Sequence, residues 1–267
     1  MIYFQPVRTA RFTFTLQELT IADIQELLNI PTHLLETTRS AFLRFAIKEL
    51  TWHKGYSELS IDHLTAQERI FIEATYLSSV SDVPDFNVGN GHYTNYLQVE
   101  KQYKLDQVEI GQIPDDEDLW FIQPLTGAML DVIEERLFMA DKTPNRADWF
   151  LYTMAAQLFR KEEEVVSPYL NAINYGDWLE SRVERLRRLP ESAFCSLLMM
   201  FIYKGMKSIT HLFDINLDNQ GVIIQPSYPI ATNKKGEEVE LLPARFRSTD
   251  SISDPAKQLF GKFDQDG

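Results

Sequence analysis

The sequence predicts an α-rich α+β fold: two helical groups separated by a short β/loop insertion, with a C-terminal β-like hairpin and an extended tail. Three observations carry that expectation. Apolar residues recur at helical spacing over residues 21–80 and 125–207, glycine and proline interrupt the chain between them, and β-like runs return after residue 214. The segments are 1–123, an N-terminal α+β region; 124–213, a helical bundle; and 214–267, the hairpin and arm. At 267 residues the chain has the length of one large domain or two small ones.

Arg11-Phe12-Thr13-Phe14-Thr15-Leu16 alternates apolar and polar side chains, which predicts a strand. Thr20 then caps a helix carrying Ile21, Ile24, Leu27 and Leu28 on one face, and Pro31 ends it by removing a backbone donor. Thr32 is the expected cap of a second helix over residues 33–50, with Leu35, Phe42, Phe45 and Ala46 facing inward. Thr65-Ala66-Gln67-Glu68 is a capping box, in which hydroxyl and carboxylate each satisfy the other residue's backbone N–H. The helix it opens runs to residue 80 and buries Ile70, Phe71, Ala74 and Leu77.

Pro84, Gly89 and Gly91 cannot sustain one long helix, so residues 81–123 read as short strands and loops. Residues 96–99 are expected to pair with 107–110, 119–122 form a further strand, and Asp115-Asp116-Glu117-Asp118 is an exposed turn. Helical spacing resumes with Leu130, Ile133 and Leu137, then with Phe150, Met154 and Leu158 after a start near Asn145. Ser167-Pro168 suits the cap and first turn of a short helix. Trp178, Leu179 and Leu186 mark another, closed by Pro190. Short connections between these helices predict a compact bundle. The apolar run from Ala193 to Tyr203 reads as a buried helix: as a helix its eleven residues reach only ~16 Å, about half a bilayer core. Val222–Ile224 and Val239–Leu242 are β-like around the turn chemistry of Asn233-Lys234-Lys235-Gly236. Beyond Pro243 the chain is polar and aperiodic.

Composition narrows function by exclusion. With 39 acidic against 26 basic side chains the formal charge is −13, which disfavours a broad nucleic-acid footprint. The single cysteine, Cys195, rules out an intramolecular disulfide scaffold and a cysteine-based zinc site, and fits a reducing cytoplasm. Met1–Arg8 lacks a signal-peptide pattern, and no membrane span is expected.

No cofactor, metal or catalytic residue emerges. The five histidines never pair at helical ligand spacing and read as surface or capping residues. Four adjacent acids at 115–118 lack the alternate spacing of a calcium loop. Gly89-Asn90-Gly91-His92 lacks the rest of a phosphate loop and reads as a turn needing glycine freedom. Cys195, inside the most apolar helix, reads as a core residue rather than a nucleophile. Arg182, Arg185, Arg187 and Arg188 form the one dense basic cluster, interleaved with Glu180 and Glu184 at salt-bridging spacing. Beside the solvated-face reading, that helix is a candidate docking surface for an acidic partner. Arg182, Arg185 and Arg188, with the C-terminal aromatics Phe246, Phe260 and Phe263, are the candidate partner-binding residues. A high aromatic load, including four tryptophans, suits a protein that works by contact.

Two passages carry a resemblance. One is Phe14-Thr15-Leu16-Gln17-Glu18-Leu19-Thr20-Ile21-Ala22-Asp23 with its following helices and proline. The other is Leu64-Thr65-Ala66-Gln67-Glu68-Arg69, leading to Ala74-Thr75-Tyr76-Leu77, Asp85-Phe86-Asn87-Val88-Gly89 and Tyr93-Thr94-Asn95-Tyr96-Leu97. Together, over residues 12–200, they resemble the baseplate hub and hub-assembly proteins of contractile-tailed bacteriophages. The resemblance implies a non-enzymatic virion component or tail-assembly factor, made in the host cytoplasm and placed in the tail baseplate. Its partners would be other baseplate and tail proteins in a multi-subunit assembly, without nucleic acid or membrane. Residues from 214 onward lie outside the pattern and are expected to form a docking arm. The competing expectations are a tail assembly chaperone bound to the tape-measure protein, a hydrolase whose site forms only in the fold, and a regulatory helical domain that binds an acidic partner.

Overall fold

Three α-helices open on a reciprocal cap set ahead of an apolar period. Thr20 opens α1 (Ile21–Asn29), Thr65 opens α3 (Ala66–Val80) and Asn145 opens α5 (Arg146–Gln157). In each, the cap side chain accepts first-turn N–H groups, and Asp23, Glu68 or Asp148 accepts the cap's own N–H. The structure, a computed structural model, describes residues 2–56, 59–98, 107–113, 118–139, 143–232 and 236–261.

The second helix departs from expectation at both ends. Thr32 does not cap it: α2 (Leu35–Ala46) begins after Leu34, which offers no side-chain acceptor. Nor does it reach residue 50. The chain turns at Ile47 into β3 (Ile47–Trp52), which pairs antiparallel with β2 (Phe12–Leu16); β1 (Val7–Arg8) completes the sheet on the far side of β2. The reason is backbone demand. Phe12, Phe14 and Leu16 are buried, so the main chain between them needs partners that helical residues 47–52 would not supply.

In the insertion, β4 (Asn87–Val88) and β5 (Gly91–His92) form a small hairpin, with Gly89 in the left-handed region at φ +55° as its composition required. The expected pairing of 96–99 with 107–110 is not formed. Gln98 bridges Leu212 instead, and β6 (Val108–Gly111) pairs with β7 (Trp120–Ile122). A third strand, β8 (Leu158–Arg160), follows α5 directly and closes a β6-β7-β8 sheet. Residue 99 and Asp115-Asp116-Glu117 lie outside the described residues.

α4 (Gly127–Met139), α5 and α6 (Ala172–Arg187) pack together as the centre of the second helical group. Residues 168–170 form a turn rather than a helix, and Asn171 caps α6. α7 (Glu191–Met200) runs through a π-helical stretch, Phe201–Met206, into α8 (Lys207–Ile209). The C-terminal strands form two hairpins where one was expected: β9 (Asp214–Asp218) with β10 (Gly221–Gln225), and β11 (Ile230–Thr232) with β12 (Glu238–Glu240). Gly221, at φ +109°, lies where any Cβ would come 3.2 Å from the Trp149 ring.

Helix outweighs strand, 47% against 20%, so the α-rich mixed class stands. Two hydrophobic clusters hold the chain. The larger gathers Trp149, Tyr175, Phe201, Phe213 and Phe246; the smaller gathers Phe12, Phe14, Leu27, Phe42, Tyr76 and Ile252. The extended-tail expectation is therefore corrected over its described part. Phe246 and Ile252 are too far apart to show a period, yet each enters a different cluster, and α9 (Asp254–Phe260) rests on α1. Residues 244–260 strap the two clusters of their own chain together.

Candidate functional site

The arginine helix divides by its helical geometry. Leu179, Val183 and Leu186 make the buried face of α6, and Arg182 shares that face by its spacing from Leu179. Arg182 is 6% exposed. It donates from Nε to the Ala155 carbonyl at 2.7 Å, bonds Leu158 O and Glu163, and lies 4.7 Å from the Trp178 ring. These carbonyls are the acceptors that the end of α5 leaves without helical donors. Arg182 is therefore a tie between α6 and the α5–β8 junction, not a partner-binding residue. Burial holds its pKa below the ordinary arginine range, and Glu163 counters that shift. Glu163 is lowered: burial would raise it, and Arg182 and Arg185 outweigh that.

Arg185 and Arg188 are exposed, as expected. Arg185 sits 3.1 Å from Glu163 on one wall of a cleft of about 530 Å³ whose other wall carries Trp120, Arg160 and Lys161. Arg160 stacks 5.0 Å over Trp120 and pairs with Asp118 at 2.8 Å. Arg187 pairs with Glu184 at 2.8 Å, whereas Glu180 accepts from the Tyr152 hydroxyl at 2.6 Å. The cleft thus sets Arg160, Lys161, Arg182 and Arg185 against Asp118, Glu162 and Glu163, and Arg188, at the end of the helix, lies outside its lining.

The aromatic candidates separate likewise. Phe246 is 4% exposed and meets Phe86 and Phe213 edge-on, so it is core. Phe260 is half-buried at the end of α9, and Phe263 lies outside the described residues.

Sequence reasoning missed a buried ionic cluster between α2, α3 and α4. Arg39 bonds Glu36 at 2.7 Å, Glu73 at 2.9 Å and the Phe246 carbonyl at 2.9 Å. Arg69 donates to Glu36 O at 2.8 Å and Ser40 Oγ at 2.7 Å and lies 3.4 Å from Asp131. Burial pushes Glu73 and Asp131 up. It would also raise Glu36 and lower Arg39, but Arg39 and Arg69 hold Glu36 below its ordinary value, and Glu36 and Glu73 hold Arg39 above its own. The signal was present: Arg69 and Glu73 sit in the same stripe as Ala66, Ile70, Ala74 and Leu77. A charge inside an apolar stripe announces a buried partner.

A second polar group lies at the start of α3. Arg11 donates to Glu68 at 2.7 Å, and the Thr65 hydroxyl lies 3.2 Å from His211 Nε2. His211 is 3% exposed, which corrects its reading as a surface or capping residue; burial lowers its pKa to about 3 and keeps the ring neutral. His63 does cap, accepting the Ser60 N–H at 3.0 Å, and it stacks on Tyr169 at the mouth of a cleft of about 440 Å³. Among the described residues no three His, Cys, Asp or Glu side chains gather as a metal site requires.

The expected buried helix is half outside. α7 buries Leu197, and its continuation buries Phe201 and Gly205 against Ile110 and Ile122. The sheet covers one side only, so Cys195, Met199 and Tyr203 are exposed, the last two at 53% and 58%. Cys195 is therefore not a core residue. No helix among the described residues is long and apolar enough to cross a membrane. Compared with known families, curated proteins and solved structures, the chain matches none.

Proposed function

We propose that the chain is a non-enzymatic component or assembly factor of a contractile-tail phage baseplate, acting through contacts with other tail proteins. The observation that carries the contact reading is a set of large apolar side chains on its outer surface. Leu170, in the turn before α6, and Ile173, in its first turn, are 89% and 71% exposed. Leaving such groups in water forgoes burial worth roughly 1.5–3 kcal/mol each, which a covering partner recovers. The phage assignment rests on the resemblance of residues 12–200 and commits the partners to baseplate and tail subunits.

Peptide identification in purified phage particles tests the assignment. Recovery of the chain with baseplate proteins is the expected result. Recovery only from lysates, bound to the tape-measure protein, would replace the structural role by a chaperone role. Recovery with neither would end the phage reading.

A further inference from the structure

The exposed side of the α7 helix is a ridge with a four-residue step: Glu191, Cys195, Met199, Tyr203 and Lys207 are all exposed. A step of four residues overshoots one turn of α7 and falls short of one wider turn of the π-helical stretch, so the five side chains follow a curving ridge. The ridge therefore reads acid, thiol, thioether, phenol and ammonium, with Met199 midway between Glu191 and Lys207.

We infer that this ridge pairs antiparallel with the same ridge of a second copy of the chain, about a two-fold axis at Met199. Reversal of the ridge matches it to itself. Glu191 of one copy faces Lys207 of the other, Cys195 faces Tyr203, and Met199 faces Met199. A two-fold interface requires such self-complementarity, whereas a foreign partner would have to supply a base opposite Glu191 and an acid opposite Lys207 independently. Lys207 already leans on its neighbour, with Nζ 5.7 Å from the Tyr203 ring. One helix pair covers less than the ~800 Å² per partner of a standard interface, so the dimer forms and dissociates with concentration. The inference rests on the helix face alone and holds whether or not the chain is a baseplate subunit.

Sedimentation equilibrium of the purified full chain over a wide concentration range tests it. The mass should rise from 31.0 kDa toward twice that value. Met199→Glu, which sets two carboxylates against each other on the axis, should hold the chain at the monomer mass with an unchanged circular dichroism melt. Glu191→Lys should weaken the dimer about tenfold. The exchange Glu191→Lys with Lys207→Glu should restore it, an effect confined to the antiparallel register. In a Cys195→Ser background, Met199→Cys should crosslink rapidly with a short bismaleimide. A wild-type chain that stays monomeric, a dimer that survives Met199→Glu, a charge exchange without rescue, or a monomer that floats with anionic vesicles would each overturn the inference.

Discussion

Glu134 caps a helix to which it does not belong: its Oε2 accepts both the backbone N–H of Thr37, at 2.8 Å, and the Thr37 hydroxyl, at 2.7 Å. Its Oε1 accepts the N–H of Glu36 at 2.8 Å. Leu34, the residue before α2, has no side-chain acceptor, so a carboxylate on α4 performs the capping. Glu134→Ala should therefore lower stability by about 1–2 kcal/mol in urea unfolding, with the loss of protection concentrated at the amides of residues 36 and 37.

The same carboxyl should set a pH dependence. Burial and the charge of Glu36 raise its pKa to about 6 from an ordinary 4.5. A raised carboxyl favours the folded state when protonated, so its contribution is full below pH 4.5 and is lost as pH rises through 6. The stability difference between wild type and Glu134→Gln should fall by roughly 2 kcal/mol in all, about 1.3 kcal/mol of it across that interval. A flat difference would show that folding does not raise the Glu134 pKa.

His211 works in the opposite sense. Its pKa is depressed from 6.5 to about 3, so its contribution is full above pH 6.5 and is lost as pH falls toward 3. Relative to His211→Gln, the wild type should lose about 3 kcal/mol between pH 6.5 and 4, measured by urea unfolding at each pH.

Arg182 and its exposed neighbours should separate cleanly. Arg182→Ala leaves Glu163 with Arg185 alone and strands the carbonyls of Ala155 and Leu158, and should cost about 2–4 kcal/mol. Arg185→Glu with Arg188→Glu should change stability by less than about 1 kcal/mol while weakening any acidic partner. Thermal melts and pull-down of the two variants provide the comparison.

The strap closes over Glu73, whose Oε1 accepts the Ser248 hydroxyl at 2.6 Å across 175 residues of sequence. Ending the chain at Pro243 removes that bond, the Arg39 contact with the Phe246 carbonyl, and the burial of Phe246 and Ile252. The truncated chain should lose about 5 kcal/mol or more and unfold without a sharp transition. Retention of a cooperative native melt would show that residues 244–260 are dispensable to the fold. Ser248→Ala alone should cost about 1.5–3 kcal/mol.

Local structure was legible in the residues themselves. Thr20, Thr65 and Asn145 start their helices because cap and acceptor lie within four residues of each other, and Gly89 turns because its own φ must be positive. The opposed charges and apolar centre of the Glu191–Lys207 ridge were also written in the chain. What those features face emerged on folding. α2 is capped by Glu134 from 97 residues away, Arg182 is buried by the end of α5, the most apolar helix is covered on one side only, and an aperiodic tail becomes a strap. Hydrogen bonding along the backbone is short-ranged and legible from neighbours. The environment of a charge, and the presence or absence of cover over an apolar face, depends on atoms that only folding brings within reach.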